Sequence, residues 1–146
     1  VNRHGQFNVP IGRYKNPQIL HEAVLRAASL ALQTACIATK DFREIVDLAQ
    51  PGDFFYFDPP YDPVSQTASF TSYTATNFGA DSQRALAAVF AQLTGKSCFC
   101  MLSNSYTPFM LELYRDFRVE VVQAKRAVNS KGNGRGSVPE ILVLNY

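Results

Sequence analysis

No apolar run in this sequence approaches the ~20 residues that a bilayer-spanning helix needs, and no secretory leader pattern opens it. No membrane-spanning helix is expected. Cysteine and histidine are also scarce, with three cysteines and two histidines in 146 residues. An odd cysteine count gives no disulfide framework, and Cys98 and Cys100, two apart in an apolar run, share one face of a strand, a spacing that suits burial. Neither His4 nor His21 has a second ligand at metal spacing, so no metal site is expected. The thiols are read as structural, in a cytoplasmic, reducing environment. The chain also lacks an initiator, beginning with Val1. The expectation is a fragment or a processed piece.

What is present is one domain's worth of residues, 47% hydrophobic and 18% charged, as in ordinary globular proteins. The net charge is only +2, but it is unevenly placed. Residues 41 to 96 hold seven acids against three bases, whereas residues 1 to 26 hold four bases and one acid. A second basic run, Arg118, Lys125, Arg126, Lys131 and Arg135, faces Glu120 alone. Basic arms on either side of an acidic, aromatic centre fit a polyanion gripped at two places with chemistry between them.

That centre is Phe54-Phe55-Tyr56-Phe57, followed by Asp58-Pro59-Pro60-Tyr61. Four aromatics in a row read as a strand covered on both faces. Two successive prolines then remove two backbone donors, so pairing must stop at Asp58. A carboxylate is thereby held at a strand's carboxyl end, where open α/β sheets bind their ligands. Asp58 and the Pro59 carbonyl can accept the two protons of an amine on a planar base, and Tyr61 can stack on its face.

Asp-Pro-Pro-Tyr after an aromatic strand resembles the amino-methyltransferase motif of the Dam family of DNA adenine methyltransferases. The opening segment is similar to that family's recognition hairpin in Asn2, Gly5, Phe7, Asn8, Val9, Pro10, Gly12, Arg13 and Tyr14. The resemblance implies that Pro10 and Arg13 lie at the target base pairs and favours GATC as the site. One departure is the family's base-reading Arg, which would fall just before Val1. In isolation Asp41 is a helix N-cap. The resemblance implies that Asp41 and Phe42 contact the adenine of S-adenosyl-L-methionine, and that Phe70 and Tyr73 belong to a loop closing over a flipped base. It also implies that Ser103 and Asn104 fix the base pocket. Arg126, Ser130, Arg135, Val138 and Glu140 match the family as well. The glycine-rich, basic connection around Arg135 can approach a phosphate closely.

In order along the chain, the pattern predicts a helix opened by Asn16 and Pro17 that runs to about Ser29. A short strand at 35–39 and a helix over Phe42, Ile45, Val46 and Ala49 follow. After the aromatic strand come a helix capped by Asp81 or Ser82 and ending at Gly95, a strand from Ser97 to Leu102, and a helix from Pro108 to about Arg115. Two strands, Val119 to Arg126 and Glu140 to Tyr146, close the chain. The expected fold class is α/β, the second half of a Rossmann-like methyltransferase sheet, mostly parallel with an antiparallel last hairpin. Residues 1–33 are read as the end of a target-recognition segment and 34–146 as the carboxyl-terminal part of the catalytic domain. The family's Phe-x-Gly-x-Gly cofactor turn is absent from the sequence, so the partners expected are double-stranded DNA and the missing amino-terminal half of the same domain. Two rivals stand beside adenine methylation: methylation of cytosine or a glutamine amide, and a DNA-binding module without catalysis.

Overall fold

The computed structural model describes residue 15 and residues 19–64, 78–125 and 137–146. The chain divides into two units, Val1–Thr39 and Lys40–Tyr146.

In the first unit, helix α1 spans Glu22–Ala31 and passes into a 3-10 turn, Leu32–Thr34. The helix starts later than the Asn16-Pro17 pair suggests. His21 is its N-cap and contributes no side-chain bond, so the start is supported by Glu22, an acid at the positive end of the helix dipole. Glu22 also pairs with Arg26 one turn on, at 2.7 Å. The strand expected at 35–39 does not form. Ala35 is extended (φ −96, ψ 144), but no residue from 35 to 40 has a ladder partner, and extended backbone without a hydrogen-bonded neighbour is not a strand.

The second unit opens with Asp41 as a true N-cap. Its side chain accepts from the Arg43 backbone N–H, and Glu44 reaches back to the Asp41 N–H in a capping box. The 3-10 turn Phe42–Glu44 continues into helix α2, Ile45–Leu48. Four strands follow: β1 Phe54–Phe57, β2 Phe99–Ser105, β3 Arg118–Lys125 and β4 Ser137–Leu144. Helix α3, Ala80–Gly95, precedes β2, and helix α4, Pro108–Leu113, follows it.

The sheet order is β1-β2-β4-β3. The pairing β1–β2 is parallel, whereas β2–β4 and β3–β4 are antiparallel. The sheet is therefore mixed. Three strands run one way, as the pattern predicts, but the last strand inserts between β2 and β3, so only one of the hydrogen-bonded pairs is parallel. A hairpin return of this kind uses the antiparallel ladder that a short connection allows.

Helix α3 explains where the core sits. Leu86, Val89, Phe90 and Leu93 recur at helical spacing and are buried, as expected, with Gln83 one turn earlier on the same face. Gly79, not Asp81 or Ser82, is the N-cap. Asp81 lies in the first turn, where it pairs with Arg84 at 2.8 Å. Phe90 packs on Phe57 at 6.2 Å between ring centroids, on Tyr114 at 5.6 Å and on Phe117 at 4.9 Å. Full burial of a ring such as Phe90 contributes roughly 1.5–3 kcal/mol, which makes this cluster the anchor of helix on sheet. Cys98 and Cys100 are buried, as their spacing predicts, while Cys36 in the first unit is exposed.

The aromatic strand is covered on one face only. Phe55 and Phe57 turn toward the core cluster, and Phe54 and Tyr56 remain 57% and 55% exposed. The two-residue period of a strand divides any four-residue run between faces, so an unbroken aromatic run does not reveal whether both faces are covered. Among the described residues β1 is also an edge strand.

Candidate active site

The site is built at the carboxyl end of β1, beside β2, which runs on to Ser105. Their parallel register pairs Phe57 with Leu102, so the next residue of each strand, Asp58 and Ser103, comes level at the carboxyl edge. Asp58 is exposed and Ser103 is buried. Ser103 Oγ donates to Asp58 Oδ1 at 3.0 Å, and the Tyr56 hydroxyl donates to Ser103 Oγ at 3.0 Å. A serine hydroxyl has one proton to give, so the chain runs in one direction, from Tyr56 through Ser103 to the carboxylate. This arrangement fixes one oxygen of Asp58, and the other has no hydrogen-bond partner among the described residues.

Asn104, the neighbour of Ser103, points to the opposite face and is fully buried. Its Oδ1 accepts the backbone N–H of Asp62 at 2.8 Å and that of Ser105 at 2.8 Å. The Thr107 hydroxyl donates to Asp62 Oδ2 at 2.7 Å. Thr107 Oγ1 in turn accepts the Met110 N–H at 3.2 Å, capping α4. Gln83 Nε2 donates to the Pro60 carbonyl at 2.9 Å. The turn from Asp58 to Asp62 is thus held from α3, from the end of β2 and from the start of α4. Pro60 and Tyr61 hold their places in that turn. Tyr61 is half-buried. Burial pushes its phenol up from the ordinary value, so the ring stays neutral through physiological pH.

Beside the turn lies a cavity of about 210 Å³, lined by Phe42, Tyr56, Phe57, Asp58, Pro59, Phe78 and Leu86. Phe42 and Phe78, both on its lining, pack against one another at a tilt of 59°, with ring centroids 5.9 Å apart. Asp41 does not line this cavity. Its carboxylate accepts from Arg43 at 2.9 and 3.1 Å, and the Arg43 guanidinium lies 4.6 Å above the Phe42 ring. The Arg43 backbone N–H, and then its guanidinium, hold the Asp41 carboxyl below its usual range.

Of the residues singled out in the sequence, the geometry brings together Phe42, Asp58, Pro59, Pro60, Tyr61, Ser103 and Asn104. Asn2, Phe7, Asn8, Pro10, Arg13, Tyr14, Phe70, Tyr73, Arg126 and Arg135 lie outside the described residues. Tyr56, Gln83, Asp62 and Thr107 were not singled out. For Tyr56 a signal was available, since residues two apart in a strand share a face and place its hydroxyl beside Asp58. For Gln83 the signal was a lone amide in line with the apolar stripe of α3.

A mixed α/β sheet that presents a carboxylate and two prolines at the end of its parallel strand, next to an aromatic cavity, is compatible with the fold of a methyltransferase. The sequence model of the D12 class N6 adenine-specific DNA methyltransferases matches residues 1–128, and the chain belongs to that family. Among curated relatives, a type II methyltransferase, M1.LlaDCHI of Lactococcus lactis subsp. cremoris, is 46% identical over 100% of this chain and 52% of its own length. Type II methyltransferase M.MjaIII of Methanocaldococcus jannaschii is 43% identical over 100% of this chain and 51% of its own length. The DNA adenine methylase of Vibrio cholerae is 39% identical, covering 98% of this chain and 52% of that enzyme. The chain spans about half the length of these relatives.

Proposed function

We propose that a protein carrying this chain methylates the exocyclic amine of adenine in duplex DNA, with S-adenosyl-L-methionine as donor and GATC as the site. The observation that carries the reading is the Asp58–Pro59 pair at the carboxyl end of β1, its carboxylate oriented by Ser103 and its cavity shared with Phe42. The lining fits the donor's chemistry: Phe42 and Phe78 offer flat apolar faces for a purine, and Asp58 offers a negative edge to a cationic group. When bound, the donor supplies an electrophilic methyl group on a sulfonium.

The chain's own residues supply the nucleophile's geometry. Adenine's amine is a poor nucleophile because its lone pair is delocalised into the ring. Accepting one N–H at Asp58 and the other at the Pro59 carbonyl favours a pyramidal nitrogen with its lone pair aimed outward. Tyr61 stacks on a base taken out of the duplex, an extrusion that costs a few kcal/mol. Phosphate contacts from the basic arms, Lys15 on one side and Arg126 and Arg135 on the other, offset that cost. In-line positioning of this kind supplies up to ~7 kcal/mol or more of the barrier reduction. With the methyl group transferred in place of one N6 hydrogen, that proton would pass toward Asp58 and solvent. Asp41 and Phe42 serve the donor's adenine.

Because the chain covers half of its relatives, this reading assigns the cofactor's glycine turn to a segment outside it, and the chain alone is expected to be inactive. The test is nucleoside mass analysis after incubation of duplex DNA with labelled donor and a full-length enzyme carrying this chain. Labelled N6-methyladenine is expected. Methylated cytosine without methylated adenine overturns the assignment. Calorimetry on the isolated chain should detect no donor binding at millimolar concentration, and tight binding with a cooperative melt would show a self-sufficient enzyme.

A further inference from the structure

Gln83 is the only amide on the buried face of α3, where it is 1% exposed among Leu86, Val89, Phe90 and Leu93. Its orientation is dictated by backbone groups at both ends. Asn104 Oδ1 already accepts two backbone N–H groups, from Asp62 and Ser105, so its two lone pairs are used and its Nδ2 must turn toward Gln83. That Nδ2 lies 3.4 Å from Gln83 Oε1. Gln83 Oε1 is therefore the acceptor end, and Nε2 is the end left to donate to the Pro60 carbonyl, at 2.9 Å.

From these bonds we infer that Gln83 is a positioning residue for methyl transfer, holding the Asp-Pro-Pro-Tyr turn in the shape that presents the Pro59 carbonyl and the Tyr61 ring. The inference rests on the adenine methyltransferase reading above. Proline rings fix φ at residues 59 and 60, which leaves the peptide between Pro60 and Tyr61 as a free rotor of the turn. The bond from Gln83 holds the carbonyl of that peptide. Rotation there would swing the Tyr61 ring away from a stacked base and tilt the neighbouring Pro59 carbonyl. Gln83 itself touches neither base nor donor in this arrangement. Its effect passes entirely through Pro60.

The test compares Gln83→Glu and Gln83→Leu with the wild type in a full-length enzyme carrying this chain. It uses single-turnover methyl transfer to a duplex and equilibrium binding of the same duplex. Glutamate keeps the shape of glutamine but can donate to the Pro60 carbonyl only when protonated. Gln83→Glu is therefore expected to transfer fastest at acid pH and to lose rate as pH rises, a limb that the wild type lacks. Gln83→Leu should be slower at every pH by roughly ten- to a hundredfold, the scale of a small misplacement of reacting groups. Duplex affinity should stay within a factor of three in both. A Gln83→Glu pH profile that superimposes on the wild type overturns the inference, as does a loss of duplex affinity equal to the loss of rate. Should both variants lose their cooperative melt, Gln83 is a folding residue and the inference falls. Failure of the wild type to methylate adenine would overturn the parent reading and this one together, whereas an active wild type with unaltered variants overturns this one alone.

Discussion

Ser103 and Asp58 lie 45 residues apart in sequence, and Ser103 Oγ bonds Asp58 Oδ1 at 3.0 Å because the parallel register of β1 on β2 brings them level. Removing the donor frees the carboxylate to rotate. Ser103→Ala should therefore lower the single-turnover rate about tenfold, ~1.4 kcal/mol of barrier, with little change in duplex affinity. Tyr56→Phe, which removes the bond to Ser103 but leaves Ser103 in place, should cost less. A larger loss in Tyr56→Phe than in Ser103→Ala would contradict the direction of the relay.

Asp58→Ala should abolish transfer while sparing most duplex affinity, since the phosphate contacts are assigned to the basic arms. Gel-shift titration beside the rate assay separates the two. Parallel loss of binding would place Asp58 in the grip on DNA instead.

Two arginines proposed for DNA should behave differently. Arg135→Ala should weaken binding about equally on all sequences and reduce the salt slope by ~1. Arg13→Ala should lower discrimination against altered sites by ~1–3 kcal/mol if it reads a base. Equal effects of both substitutions on every duplex would make Arg13 a second phosphate contact.

Tyr114 is fully buried, and its hydroxyl has no hydrogen-bond partner among the described residues. Burial pushes its ionisation upward, so the folded state holds this proton more tightly than the unfolded chain does. The linked stability is complete below pH ~10, where unfolded tyrosine ionises, and is lost as pH rises above that value. Tyr114→Phe should flatten this alkaline decline. At neutral pH the same change removes an unsatisfied polar group and should stabilise by about 1 kcal/mol. Thermal melts at pH 7 and pH 10.5 check both signs, and a marked loss of stability at pH 7 would show that the hydroxyl has a partner.

The three thiols should react in two classes. Burial, followed by the neighbouring Cys98, pushes the Cys100 thiol up to about 11, so at pH 8 it carries almost no thiolate. Iodoacetamide on the folded chain should label Cys36, which is exposed, and leave Cys98 and Cys100 until denaturant is added. Early labelling of Cys100 would mean that β2 opens.

Features that depend on a few neighbouring residues were legible in the sequence. The proline pair stops β1 at Phe57, Asp41 caps the turn after it, and the stripe from Leu86 to Leu93 forms the buried face of α3. Features that depend on a distant partner were not. Residues 35–39 have strand-like composition but no neighbour to pair with, and Phe54 and Tyr56 have apolar character but no covering layer. Within the site, the carboxylate and its prolines could be read from one tetrapeptide. Of its supports, Ser103 and Asn104 were expected from the resemblance, whereas Gln83 and Thr107 were not, because they reach the turn only through the docking of α3 and α4.

The insertion of β4 between β2 and β3 sets the order in which the molecule can be assembled during synthesis. β2 carries Ser103 and Asn104, yet its second ladder partner comes after the whole of α4 and β3. A ribosome must therefore finish the final strand before the residues that orient Asp58 can lock, and until then β2 has an open edge. A nascent chain stalled short of Ser137 would hold Asp58 without a settled frame around it. Loss of a few residues of β4 would then be felt at Asp58, far from it in sequence.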